Sequence, residues 1–375
     1  MGTIREGHIG YREALALLAI ALSSKVFLTC PRNLAELGLT AGWLVSLVQL
    51  LVALIAVLPM LALLKAYPEH TLIEISEAIA GPVAGILVSM VQFLFFMGTA
   101  IIVMRQFTET IIVALLPTTP ISIITIFLLF GIIYPCYLGI EALSRGAWLL
   151  MPFLLFGLIG VLLLILPRTH LDYLFPLWGP GLTQIIKAGA IKSSMTGEIL
   201  LVSIFNPYLR ERKQIKTVVI GSLIIYGILF TLTMAIYEMV FPYPSAITLL
   251  PYPLYMLARI IYYGRFLQRV EAIFIFIWVF SLLVTISSLF YGATLSLARG
   301  LKLSVYQPLL FPLAILLYSV NFLIPNFPAA AWLDSHVLHN YSFIVAFGLP
   351  ALIWLMEKIW NKRVVSRGLM PEKNI

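Results

Sequence analysis

Nearly the whole chain divides into about ten apolar stretches, most of them near the roughly 20 residues a helix needs to cross a bilayer. In hydrocarbon every backbone N–H and C=O must be satisfied internally, so only helices and closed barrels are open to such a chain. A transmembrane barrel reads as short segments of alternating polarity, and this sequence has none. The composition agrees: 61% of the 375 residues are hydrophobic and only 11% charged, with a mean hydropathy of +1.03. Soluble domains are about half apolar and about a quarter charged. The expected fold is an all-α polytopic membrane protein with spans near 11–34, 43–64, 82–116, 121–138, 148–166, 183–205, 218–241, 269–297, 309–324 and 341–359. No stretch between them is long enough for a soluble domain, so residues 1–375 are expected to form a single transmembrane domain with a tail over 361–375. Arg12 leads directly into the first span, and no small-residue cleavage pattern of a signal peptide follows it.

The net charge of +8 does not predict nucleic-acid binding, because most of the 24 Lys and Arg residues fall in alternate loops. Arg5, Arg12, Lys65, Arg145, Arg210, Arg212, Lys213, Lys216, Arg299 and Lys302 lie on one side, as do the basic residues from Lys358 onward. The positive-inside rule therefore predicts cytoplasmic N- and C-termini. Cys30 and Cys136 lie within or at the ends of apolar stretches and read as small buried residues rather than a disulfide.

Two spans are interrupted in the same way. The first carries Leu22-Ser23-Ser24-Lys25-Val26 and the sixth carries Lys192-Ser193-Ser194-Met195-Thr196-Gly197-Glu198. An ammonium at membrane depth costs a few kcal/mol or more and faces a cavity, a pathway or a partner. Ser, Thr and Gly weaken helix, and a break there exposes backbone groups able to bind a carboxylate or an ammonium. The alternative is that these are small residues at helix–helix contacts. Lys25, Lys192 and Glu198 favour a ligand cavity, and a Lys25–Glu198 ion pair bridging the two breaks is one expectation. Spans 3 and 8 are the longest and, like spans 1 and 6, stand five apart. That suggests an inverted repeat of five helices, near 9–167 and 182–360, rather than simple hairpin duplication.

Span 3 carries Arg105 and Glu109 one turn apart, and span 8 opens with Arg269 and Glu271. These pairs either close a gate between helices or neutralise one another locally. The Pro- and Tyr-rich segment Phe241-Pro242-Tyr243-Pro244 to Leu250-Pro251-Tyr252-Pro253 forms either a lid or an interfacial loop. Asp334, His336 and His339 have metal-like spacing, but one short motif without a further ligand predicts no metal. No phosphate-binding glycine loop, zinc-protease helix or nucleophile elbow is present, so neither an enzyme nor a cofactor is expected.

The run Lys25-Val26-Phe27-Leu28-Thr29-Cys30-Pro31-Arg32 resembles the spore germination permeases, the B subunits of nutrient germinant receptors. So do Thr40-Ala41-Gly42-Trp43, Arg105-Gln106-Phe107 leading to Leu116-Pro117-Thr118-Thr119-Pro120, and Arg269-Val270-Glu271-Ala272. The resemblance covers the chain from the first span to the last. It implies the amino acid–polyamine–organocation superfamily, a leucine-transporter-like fold, and a small germinant such as an amino acid, sugar or nucleoside. It also implies the spore inner membrane and partnership with A-type and C-type receptor subunits. Ligand sites of that superfamily map onto Leu22 to Val26 and Ser193 to Gly197, with helices 3 and 8 lining the pocket. Ser23-Ser24-Lys25 replaces the glycine-rich break usual in helix 1, a departure that bears on carboxylate recognition. The alternative function is a proton- or sodium-coupled secondary amino acid transporter, in which Lys25 or Lys192 stands in for a sodium ion. A ligand-opened pore is a more distant reading.

Overall fold

The computed structural model describes residues 7–248, 253–262 and 270–364, the side chains of 270–274 and 360–364 excepted. These residues are almost entirely helical, with one isolated parallel bridge between Ile9 and Leu209. Among them, eight helices are long and apolar enough to cross a membrane. They are span 2 (Gly42–Ala66), span 3 (Pro82–Ala114), span 4 (Ile121–Leu138), span 5 (Ile140–Arg168), span 6 (Leu182–Tyr208), span 7 (Arg212–Val240), span 8 (Ile275–Gly300) and span 10 (Phe327–Ile359). Span 1 is the bent pair Tyr11–Phe27 and Cys30–Gly38, and the apolar helix Gln307–Asn321 occupies the place of span 9.

The termini of several spans differ from those expected. Span 10 begins at Phe327 rather than near 341, because Asn326 accepts a hydrogen bond from the Ala329 N–H and Pro328 occupies the first turn. A further helix, Leu72–Ala80, lies between spans 2 and 3. It is too short to cross a bilayer, and Glu74 in its first turn accepts the Thr71 N–H at 2.9 Å. Spans 4 and 5 are separated by one residue, Gly139, whose φ of 91° is open to glycine at little cost. Span 3, at 33 residues, is about 50 Å long and exceeds the hydrocarbon thickness, so it must tilt.

Burial shows which spans form the centre. In the apolar window of span 6, 83% of residues are buried, against 33% in spans 4 and 5. Phe127, Phe130, Leu149, Phe153 and Phe156 on those outer spans are exposed, as lipid-facing side chains are. Spans 3 and 8 pack along one another. Ser89 donates to the Ser296 carbonyl at 2.8 Å, and Phe107 meets Trp278 edge-on at 5.6 Å between ring centroids.

Span 2 is anchored by Glu238 of span 7. Its carboxylate accepts the Gly42 N–H at 2.8 Å and the Trp43 N–H at 3.2 Å, at the positive end of the helix dipole. Glu238→Ala is expected to orphan the buried Gly42 donor at about 1–3 kcal/mol and the half-buried Trp43 donor at less, lowering the thermal midpoint in detergent, while Glu238→Gln recovers part of the loss. Equal midpoints for the two variants would rule out the anchoring role.

At the face where span 1 begins, residues 8–11 are stitched to the segment after span 6. The Ile9 N–H donates to the Tyr208 carbonyl at 2.9 Å, the Arg210 N–H to the Ile9 carbonyl at 3.0 Å, and the Tyr11 N–H to Glu211 at 3.0 Å. The His8 N–H donates to Glu141 of span 5 at 2.8 Å. On the same face Arg299 pairs with Glu74 and donates to the Tyr208 hydroxyl at 2.7 Å, while Lys302 pairs with Glu77 at 2.6 Å.

Candidate functional site

Both serine-containing interruptions coincide with breaks in the helices. The α-helix of span 1 ends at Ser23, tightens to a 3₁₀ turn over Ser24–Phe27, and becomes extended at Leu28 before restarting at Cys30 with a 64° bend. Pro31 sits in the first turn of the new helix, where its missing N–H leaves no bond unmade. Span 6 tightens to 3₁₀ over Ser193–Leu201, with non-helical backbone at Thr196.

The hydroxyls explain why the breaks fall there. Ser24 donates to the Ala21 carbonyl at 3.1 Å, Ser193 to Ala190 at 2.7 Å, Ser194 to Ile191 at 2.7 Å and Thr196 to Ser193 at 2.7 Å. Each turns back three residues onto a carbonyl and offers the backbone an alternative to the helical ladder. Ser194 also donates to the His339 carbonyl of span 10.

The two breaks meet across one buried ion pair. The Lys25 ammonium lies 2.6 Å from Oε2 of Glu198 and donates to the Met195 carbonyl at 2.5 Å. The helical residues around it, Leu22, Ser23, Ser24, Val26, Ser193, Ser194, Met195, Thr196 and Gly197, are all buried. Lys192 is buried as well but points elsewhere, donating to the Ser335 carbonyl and to Oδ1 of Asn340, both at 3.0 Å. It ties span 6 to span 10 and not to span 1. Gly197 is required by close packing: a Cβ there would stand 2.8 Å from the Phe95 ring of span 3 and 3.3 Å from Cβ of Ser342 of span 10.

Of the second set of charges, Arg105 and Glu109 pair within their own helix at 2.8 Å, which is the local neutralisation considered above. Arg105 also donates to the Pro325 carbonyl at 2.9 Å, holding span 3 to the turn between spans 9 and 10. Arg269 and the side chain of Glu271, with residues 249–252 of the suggested lid, lie outside the described residues.

The last span contributes polar groups that the sequence did not assign to the site. A π-helical turn over Leu333–Leu338 places Asp334 and His339, five residues apart, on one inward face. His336 falls on the opposite side, exposed and stacked on Trp332. Thr29 donates to Asp334 at 3.3 Å and lies 3.5 Å from Oε1 of Gln106. The only advance signal was the metal-like spacing of Asp334 and His339, which could not reveal that Thr29 and Cys30 stand opposite them.

A membrane-embedded bundle with helices broken at spans 1 and 6, meeting at buried charges, defines a protein of leucine-transporter-like fold. The chain belongs to the spore germination protein family, whose model matches residues 8–327. It is similar to spore germination protein B2 of Bacillus subtilis (strain 168), 21% identical over 97% of this chain and 98% of that protein. Spore germination proteins YndE and KB of the same organism are 25% and 24% identical, over 90% and 99% of this chain and 92% and 100% of theirs. Two solved structures share the fold at 13% identity. MhsT in complex with L-phenylalanine superposes with a TM-score of 0.65, covering 99% of this chain and 94% of that one. A substrate-bound Na⁺-coupled sialic acid symporter in its outward-open state gives 0.62, covering 96% and 88%.

Proposed function

We propose that this chain is the permease-like subunit of a germinant receptor, which binds a small nutrient, an amino acid, between the broken helices and signals its presence. The observation that carries this reading is the Lys25–Glu198 pair, which spans the two breaks in a chain of the spore germination family. An α-amino acid carries the same two charges. Its carboxylate can replace Glu198 on the Lys25 ammonium, and its ammonium can replace Lys25 on Glu198 and the Met195 carbonyl. The ligand thereby exchanges one ion pair for two and leaves no charge uncompensated at membrane depth. MhsT, with an amino acid bound in the same fold, supports that ligand class.

Binding that favours one arrangement of spans 1 and 6 over another shifts the population of conformations, and partner subunits read the shift. The partners implied are A-type and C-type receptor subunits, the membrane is the spore inner membrane, and both termini are cytoplasmic. The likeness to a Na⁺-coupled symporter supports the second reading, a cation-coupled amino acid transporter.

The test is uptake of labelled amino acids by the purified protein in liposomes, paired with thermal-shift binding of the same panel. Saturable binding without uptake is expected. Concentrative uptake driven by a proton or sodium gradient would establish the transporter instead.

A further inference from the structure

We propose that Cys30, Asp334 and His339 form a binding site for a divalent transition ion of the zinc class, joining the second half of span 1 to span 10. The three residues come from opposite ends of the sequence, all are buried, and their ligand atoms lie within 4.8 Å of one another.

Two of the three separations fit one tetrahedral ion. Bonds of about 2.3 Å to sulfur and about 2.0–2.2 Å to nitrogen and oxygen place the S and N ligands about 3.6 Å apart and the N and O ligands about 3.4 Å apart. Sγ of Cys30 lies 3.7 Å from Nε2 of His339, and that nitrogen lies 3.2 Å from Oδ1 of Asp334. Hydrogen bonding alone accounts for the arrangement less well. Nε2 faces both a thiol and a carboxylate, whereas a single ring N–H donates well to one of them.

The chemistry suits the location. One thiolate, one carboxylate and a neutral imidazole compensate a divalent ion fully, so the occupied site carries no net charge in the membrane interior, the thiol proton leaving as the ion binds. Thr29 holds the other carboxylate oxygen, Oδ2, at 3.3 Å, orienting the ligand as outer-shell groups do in metal sites. The nearby Lys25 ammonium is already neutralised by Glu198. Three protein ligands leave the fourth tetrahedral position open.

The test uses the purified full-length protein with a histidine-free tag, stripped by chelator and titrated with Co²⁺ alone. Binding of one equivalent per chain is expected, with thiolate-to-cobalt charge-transfer absorption and the intense visible bands of four-coordinate cobalt, displaced by Zn²⁺. Cys30→Ser should abolish the charge-transfer band, while Cys136→Ser and His336→Ala should leave it unchanged. Thr29→Val, which touches no ligand atom, should weaken Co²⁺ binding roughly 10- to 100-fold. Wild-type protein that binds no cobalt with a sulfur signature overturns the proposal, whatever the folding of the variants. A signature that persists in Cys30→Ser, or disappears in Cys136→Ser, overturns it equally.

Discussion

Glu198→Ala is expected to cost on the order of 3–5 kcal/mol of stability and to remove the ligand response, because it leaves the Lys25 ammonium buried without its counter-charge. Lys25→Ala is expected to insert normally, since it takes a charge out of a membrane span, and to lose the response as completely. The double variant Lys25→Met with Glu198→Leu separates stability from function. Replacing a buried ion pair by apolar side chains of similar volume is often neutral or stabilising. The thermal midpoint in detergent should therefore return towards that of the parent, while binding of the amino acid panel does not. A double variant that still responded to ligand would remove the pair from the binding site. A double variant as unstable as Glu198→Ala would show that the pair is not isolated, and that its neighbours depend on the charges.

The second large effect belongs to Gly197. A methyl group there meets the Phe95 ring and Ser342, so Gly197→Ala must push span 6 away from spans 3 and 10 at the depth of the break. Overpacking of this kind costs typically about 1–3 kcal/mol. The same displacement alters the separation of Lys25 and Glu198, so ligand affinity should fall together with the thermal midpoint. Phe95→Leu in the Gly197→Ala background removes the aromatic edge and should restore both. Restoration of stability without affinity would place the effect of Gly197 in packing alone.

The sequence announces the spans and the two breaks, and the reason is physical. A bilayer imposes a length and a hydropathy on each helix, and Ser23-Ser24-Lys25 and Lys192-Ser193-Ser194 are conspicuous against that background. The pairing of Lys25 with Glu198 was also within reach, since both are ionisable groups stranded in the spans that break. Asp334 and His339 were harder to place. Their inward face depends on a π-helical turn, whereas α-helical spacing puts residues five apart on different faces. Cys30 looked like a small apolar residue until the 64° bend after Phe27 carried it to span 10. Lys192 shows the limit of reasoning from symmetry. It occupies the position equivalent in motif to Lys25, yet its ammonium turns to the Ser335 carbonyl and Asn340 of span 10. The helix Leu72–Ala80 is too short to stand out as a span, although Thr71 and Glu74 mark its start in the sequence.

The stitching of residues 8–11 to the segment after span 6 has a mechanical meaning. Ile9 exchanges backbone hydrogen bonds with Tyr208 and Arg210, immediately before one broken helix and immediately after the other. The two interrupted helices are thereby yoked at their ends as well as at their middles. A tilt of either one pulls on its twin, so that a rearrangement begun at the depth of the two breaks would be carried by both to the end where they are stitched.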